Sequence, residues 1–465
     1  MTETPANPMT SAPVNKMLFK MAAPISIGMM STFLFQIVDT YFVGQLGALP
    51  LAALAFSASV YLIFVSAFIG LSVGASSLVA KAGGAGDRAQ MARVGTLAVL
   101  LAFTLSALLA YLAHLMIVPV FTLLGADAAT LPLIHDYMAT LYLGFPFLMA
   151  GIVGSGAVRA SGVFIRTEVV FAIAGVINLV FDYLLIFGIG PFPEMGLAGA
   201  ALATVLSFSF IFVGVLAIMA REGLLGRMPL SGLGTTSRGL AQIALPTVGM
   251  QLLVPATGMF VTWLLAGFGP ETVAAYGVAA RIEALAMIGI FAISAAVTPF
   301  VAQNFGAAAH DRIDRAVVFA GKVNMYMGAA LWIVLALSGP FLAQIFSDDP
   351  VVVRFVTLYF RIVALSYGFV GLINVTSAIF NGLQLPRQSL KISLVKALVF
   401  TVPVLLIAAP FGIVAVLVGL SFGNIAAGIY AGRLMRASER KYNRPIADDS
   451  ILGEALKDIR RLFGR

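Results

Sequence analysis

Apolar stretches of about 20 residues, each long enough for a ~30 Å hydrocarbon layer, follow one another along nearly the whole chain, separated by short polar breaks. Twelve are read: 18–43, 51–80, 94–118, 134–158, 168–188, 197–220, 242–266, 273–303, 316–338, 354–379, 391–409 and 412–434. The pattern predicts an all-α integral membrane protein. The opening residues, MTETPANPMTSAPVN, lack the basic start and short apolar core of a secretory signal, so residues 1–15 are expected to be a short disordered tail.

The polar breaks alternate in charge, and orientation follows Lys and Arg. KAGGAGDRAQMAR, RASGVFIR, REGLLGRMPLSGLGTTSR, the HDRIDR region and LPRQSLK are basic. The intervening GQLGALP, FTLLGADAATLPLIHD, GIGPFPEMG, GFGPETV, SGPFLAQIFSDDP and APFG contain no Lys or Arg and are expected to face outward. Both chain ends then lie in the cytoplasm, as an even number of spans requires. In domain terms, 1–15 is the tail, 16–220 a first lobe of six spans, 221–241 a cytoplasmic connecting loop, 242–434 a second lobe and 435–465 a cytoplasmic tail. The segment ILGEALKDIRRLFGR has helical apolar spacing, so it either lies along the inner membrane surface or is a solvated tail.

Composition narrows the chemistry. Of 465 residues 60% are hydrophobic and 10% charged, against roughly 25% charged in a soluble domain. With no cysteine there is no disulfide framework or thiolate metal site, and three histidines on separate segments make a histidine-built metal centre unexpected. The net charge of +8 is explained by topology and anionic lipid headgroups rather than by nucleic acid. No GxxxxGK[ST] loop is present, so the chain is not expected to use ATP itself.

Sliding the chain against itself until Pro24 meets Pro246 also aligns Thr40 with Thr262, Gly47 with Gly269 and Ala52–Ala53 with Ala274–Ala275. The same register continues through Ser72 and Ser294, Val79–Ala80 and Val301–Ala302, and Gly84 and Gly306. Six spans per half, both starting from the cytoplasm, imply a parallel repeat: two six-helix lobes related by a pseudo-two-fold axis around a central cavity, as in alternating-access transport.

Charged residues inside such spans are expensive and are read first as functional. Asp39 lies 19 residues beyond Lys20, about 28 Å along a helix, in the outer half of its span. Asp182 is six residues before the next outward break, roughly 9 Å below its helix end. Asn178 shares the Asp182 face at i, i+4, and Thr204 on the following span reaches the same layer. No Lys or Arg of the first six spans lies at that depth. Two close carboxylates in a low dielectric tend to keep a proton between them; two carboxylates with amide and hydroxyl oxygens are also a sodium site. Pro24 gives the first helix a place to bend. In the second half, Val261 stands opposite Asp39, and the counterpart of the Asp182 stretch offers Lys396, Thr401 and Pro403 but no acid. Arg281, Glu283 and Arg361 are further charges within its spans, open between substrate contact and structural pairing. Lys391 and Lys396 are expected to snorkel toward the cytoplasmic interface. Nineteen Met and 35 Phe suit a cavity that repacks around varied apolar guests.

With DTYFVGQLGALPLAALA behind Pro24 and Asp39, the chain resembles the multidrug and toxic compound extrusion (MATE) transporters. The likeness continues through GLSVGASSLVAKAGGAGDR, VINLVFDYLLIFGIG, MGLAGAALAT, VAAYGVAARIE and VAQNFGAAAHDR, and so covers essentially the whole membrane part. The resemblance implies a bacterial inner-membrane antiporter, not an enzyme, with no cofactor. It would act as a monomer and export small amphiphilic, often cationic, compounds in exchange for protons or sodium ions. It would place cation coupling on Asp39, Asn178, Asp182 and Thr204, and bending on Pro24. Where sodium-coupled members carry a glutamate in the seventh helix, PTVGMQLLVPATG has Gln251 and Pro255, which resembles the branch described as proton-coupled. The other reading carried forward is a flippase for a lipid-linked saccharide or other lipid-like substrate, which requires a strongly cationic cavity.

Overall fold

The structure, a computed structural model, describes residues 8–226 and 230–441. Among these residues twelve helices are long and apolar enough to cross a membrane. They are α1 (Val14–Gln45), α2 (Ala48–Gly84), α3 (Arg88–Leu115), α4 (Leu131–Ala160), α5 (Ile165–Phe187), α6 (Gly196–Arg221) and α7 (Leu230–Ala266). Then come α8 (Pro270–Ala286, and Ile288–Gly306 after a break at Met287) and α9 (His310–Gln344). In α10, Pro350–Ile362 and Tyr367–Gly382 flank a 3-10 turn at Ala364–Ser366. In α11, Pro386–Val395 and Val402–Ala408 flank a π segment at Lys396–Thr401. Finally, α12 spans Ile413–Lys441.

Two of the sequence boundaries change. The expected connecting loop 221–241 is shorter, because α7 is already helical at Leu230. Residues 8–15 are not a disordered tail: Pro8–Ser11 is a helical turn with Met9 fully buried, and α1 starts at Val14. An arginine anchors this turn. The Arg312 guanidinium donates to the carbonyls of Met9 (3.2 Å) and Ala12 (2.6 Å) and to Asn304 Oδ1 (2.8 Å), and Asn304 Nδ2 donates to the Met9 carbonyl (3.1 Å). The tail segment 451–465 lies outside the described residues.

The chain divides into two compact units, Ile27–Val248 and Met1–Ser26 with Gly249–Arg465. The changeovers therefore fall inside α1, after Ser26, and inside α7, after Val248, not at the 221–241 connection. Ser26 and Val248 are partners in the register of the sequence repeat, and each follows its proline, Pro24 or Pro246, by two positions. A proline lacks the N–H that would bond the carbonyl four residues back, so both helices miss a backbone hydrogen bond just before the chain leaves one unit for the other.

Within the unit Ile27–Val248, α4 is the buried axis, packed by α6, α2 and α3. Apolar helices in lipid gain little from burying one another, so close approach of backbones at small residues becomes the main source of contact. Gly144, Gly151 and Gly154 place α4 directly under Val205, Ile211 and Val215 of α6. In the unit containing Gly249–Arg465, α10 and the second part of α8 are the buried helices. There α9 and α10 cross backbone to backbone: a Cβ on Gly328 would sit 2.1 Å from the Gly368 nitrogen.

Two substitutions test these contacts. Gly328→Val is expected to lower the melting temperature by the equivalent of about 3 kcal/mol or more, because no side chain can yield at a backbone contact, whereas Gly277→Val, with open space around its Cβ position, stays within about 1 kcal/mol. Arg312→Ala removes charge-assisted bonds and should cost about 2 kcal/mol, read as a lower melting temperature together with faster proteolysis before Val14.

Candidate functional site

The two acids of the first half meet because α1 and α5 run alongside each other on a regular seam. Gly28, Phe35 and Phe42 on α1 are seven residues apart, and they face Glu168, Gly175 and Tyr183 of α5. A Cβ on Gly28 would overlap the Glu168 carboxylate at 1.9 Å, one on Gly175 would overlap the Phe35 ring at 1.9 Å, and the Phe42 ring lies 6.1 Å from that of Tyr183. Contacts at a seven-residue spacing are the signature of helices crossing at a shallow angle. Asp39 falls between Phe35 and Phe42 on this stripe, and Asp182 falls seven residues after Gly175. The packing thus delivers both carboxylates to one seam. It also sets their depth: Asp39 is six residues before the end of α1, and Asp182 five before the end of α5, which Gly188 closes in a left-handed conformation.

Asp182 is buried and Asp39 half-buried, and each keeps one buried carboxylate oxygen (Oδ1) without a hydrogen-bond partner among the described residues. The acids lie within electrostatic range of each other. Asn178 Nδ2 donates to Thr204 Oγ1 at 3.4 Å, and Thr204 in turn donates to the Ala200 carbonyl at 2.9 Å. Arg159–Glu168, Arg166–Glu222 and His135–Asp136 form ion pairs, and among the described residues none joins a cation to Asp39 or Asp182. Among these residues there is also no group of three His, Asp or Glu able to hold a metal ion.

Two further residues border the acids and escape a reading of the sequence. Tyr61 on α2 and Tyr137 on α4 are both within electrostatic range of Asp39, and Tyr137 also of Asp182. Tyr61 is held by the Phe208 ring, stacked at 6.5 Å, and the Phe145 ring, edge-on at 6.0 Å. A tyrosine in an apolar run looks like any core aromatic until the fold brings it near a charge.

The second-half candidates separate. Glu283 is half-buried and accepts a short hydrogen bond from the Tyr359 hydroxyl. Arg281, two residues away, is on an exposed face, as is Arg361, whose carbonyl accepts from Trp332 Nε1 at 3.0 Å. Gln251 is half-buried on α7, and Val261 is packed in the apolar core of its unit. Lys396 does not behave as a snorkelling side chain. It stands ten residues into α11, about 15 Å from the start of that helix, within electrostatic range of Glu283.

Known proteins point the same way. The MatE family model matches this chain twice, over residues 24–184 and 246–407, starting at Pro24 and at Pro246. A FAD transporter of Shewanella oneidensis is 34% identical over 423 residues, 90% of this chain and 94% of that protein. A probable multidrug resistance protein NorM of Deinococcus radiodurans is 30% identical over 413 residues, 85% of this chain and 88% of that protein. Among solved structures, the Vibrio cholerae MATE transporter VcmN in the bent form superposes with a TM-score of 0.88 at 27% identity, covering 94% of this chain and 99% of that one. With the family model spanning both halves and a twelve-helix fold shared with its solved members, this chain belongs to the MATE family of multi-pass membrane transporters, which are not enzymes.

Proposed function

We propose that this protein is a secondary antiporter of the bacterial inner membrane that exports small amphiphilic, often cationic, compounds in exchange for protons. The observation that carries the reading is the pair Asp39 and Asp182: two carboxylates on one seam, each with a buried unpaired oxygen, and no ion-paired cation among the described residues. Two such groups in a low-dielectric setting favour holding one proton between them, since both charges together are strongly opposed. Asn178, held by Thr204, supplies an amide oriented toward the layer when the proton leaves. Exchange follows if the protonated and substrate-bound forms prefer different conformations, because coupling requires differential affinity between states. The proline-weakened positions of α1 and α7 are where such a change is absorbed. Lys and Arg concentrate in alternate polar breaks and after Gly432, which supports cytoplasmic placement of both chain ends.

Gln251 and Pro255, in place of a glutamate on α7, support protons over sodium as the coupling ion. A flippase for lipid-linked saccharides is the weaker alternative, since the cationic candidates Arg281 and Arg361 both lie on exposed faces. A second substrate reading has its own support: the relative named FAD transporter is 34% identical, and the relatives named for multidrug resistance or export are 23–30% identical. An anionic flavin dinucleotide is therefore a substrate to assay beside organic cations.

In proteoliposomes, a pH gradient without sodium is expected to drive efflux of an organic cation, or of FAD under the second reading, and a sodium gradient at equal pH is expected to drive neither. Asp39→Asn and Asp182→Asn should each reduce pH-driven transport at least tenfold, while melting temperature is kept. Full pH-driven efflux by Asp39→Asn would sink the proposal. Thr204→Val should cost about 1 kcal/mol of stability and be non-additive with Asn178→Ala in a double-mutant cycle of thermal unfolding.

A further inference from the structure

The unit containing Gly249–Arg465 has a polar cluster of its own, at positions related to the first site by the sequence repeat. The register that pairs Pro24 with Pro246 carries Tyr61 onto Glu283, Tyr137 onto Tyr359 and Phe145 onto Tyr367. In the first half Tyr61 and Tyr137 lie within electrostatic range of Asp39, Tyr137 also of Asp182, and Phe145 packs edge-on against Tyr61. In the second half they converge on Glu283 itself: Tyr359 donates a hydrogen bond to Glu283 Oε2, and the fully buried Tyr367 hydroxyl, with no partner placed in hydrogen-bonding geometry among the described residues, faces the same carboxylate. Val261 stands where α1 has its acid, and Glu283 stands on α8 where the first half has Tyr61.

The groups in electrostatic range of Glu283 are Tyr276 on its own helix, Tyr359 and Tyr367 on α10, and Lys396 on α11. Among the described residues no direct ion pair joins Lys396 to Glu283. A permanent structural ion pair inside a membrane protein offsets the desolvation of both charges only through close, hydrogen-bonded contact. Here the carboxylate is held by a neutral hydroxyl, and the ammonium stands off. The acid therefore has a partner for its charged form, and a nearby cation that is left uncompensated when the acid is neutral.

The helices around it are irregular at this level. α8 breaks at Met287, four residues after Glu283, whose carbonyl accepts from the Met287 N–H at 2.9 Å. α10 passes through its 3-10 turn immediately before Tyr367, and α11 opens into a π segment that starts at Lys396. Pro403 accounts for the last: it has no N–H for the preceding turn and its ring crowds the Val399 carbonyl, so the helix widens. Their counterparts α2, α4 and α5 run unbroken. Irregular backbone at membrane depth is tolerated where it is buried in protein or lines a polar cavity, and π segments concentrate at functional sites.

We propose that Glu283 is a second proton-exchange group of the transporter, served by Tyr359 and Tyr367 and opposed in charge by Lys396. When Glu283 takes up a proton, Lys396 leaves this lobe with an uncompensated positive charge that disfavours an organic cation; when the proton leaves, the lobe is neutral and admits one. Proton and cationic substrate exclude each other there as they do at Asp39 and Asp182. This rests on the reading of the protein as a proton antiporter, and not on the assignment of Asp39 and Asp182 as its first-lobe carriers.

The test is pH-difference infrared spectroscopy of the protein reconstituted in liposomes, with a transport assay alongside. Wild-type protein is expected to show protonated-carboxyl bands of which Asp39→Asn removes one part and Glu283→Gln another, additively in the double variant. Glu283→Asp keeps a carboxyl band, and Glu283→Gln reduces the protons moved per substrate by about half while Asp39 remains active. A Glu283→Gln difference spectrum identical to wild type overturns this inference and leaves the first-lobe reading intact; an unchanged Asp39→Asn spectrum overturns the latter alone. If Glu283→Gln does not fold, Tyr359→Phe and Lys396→Met must each displace the midpoint of the band without removing it; a band that neither displaces also overturns the inference.

Discussion

A hydrocarbon layer provides no water to pair with a backbone amide or a charge, and the architecture of this protein follows from that constraint. Every crossing segment is a helix because a helix satisfies its own N–H and C=O groups. Since lipid is as apolar as the helix surfaces, the helices come together through shape, at places where glycine lets backbones approach. The α4 glycines against α6 and the Gly328–Gly368 crossing between α9 and α10 are those places. Against this background a carboxylate with an unpaired buried oxygen is a costly exception, and the protein carries such groups only where helices have been brought together around them.

The α1–α5 seam shows how packing and chemistry are linked. The contacts that recur every seven residues, from Gly28 and Glu168 up to Phe42 and Tyr183, carry Asp39 and Asp182 into one layer. Pro24 weakens the lower part of the same helix, close to where the chain leaves one compact unit for the other. On the proposed reading, a change in the charge of the acids would act on a helix that Pro24 weakens below them. That is the physical requirement for turning proton binding into movement: a two-state element that the bound species biases.

The two halves keep a common register and have diverged in chemistry. Prolines at equivalent positions, unit changeovers at the paired residues Ser26 and Val248, and family matches starting at Pro24 and Pro246 all preserve the repeat. The polar residues do not. The first half sets Asp39 and Asp182 on unbroken helices; the second sets Glu283 and Lys396 among interrupted ones. Duplication supplied the same scaffold positions, and different side chains on them solve the problem of placing charge in lipid differently.

Hydropathy and the basic breaks made the helix count, the repeat and the acids Asp39 and Asp182 legible in the linear chain, because these depend on transfer of whole segments out of water and need no partner. The mutual approach of the acids was foreshadowed by their equal depth, but their seam was not, since it depends on which neighbour α1 packs against. Tyr61, Tyr137 and the standing of Lys396 were illegible for the same reason: a tyrosine or lysine in an apolar run has no meaning until its tip is placed. Residues 8–15 read as a tail because they are polar, and partners some 300 residues away, Arg312 and Asn304, help make them structure. The sequence by itself determined what must lie in the membrane and which charges there require an explanation, through the free energy of transferring each segment. Which charges face each other, and where the helices break to allow it, was decided only by tertiary packing, because those energies belong to pairs of residues that the chain keeps far apart.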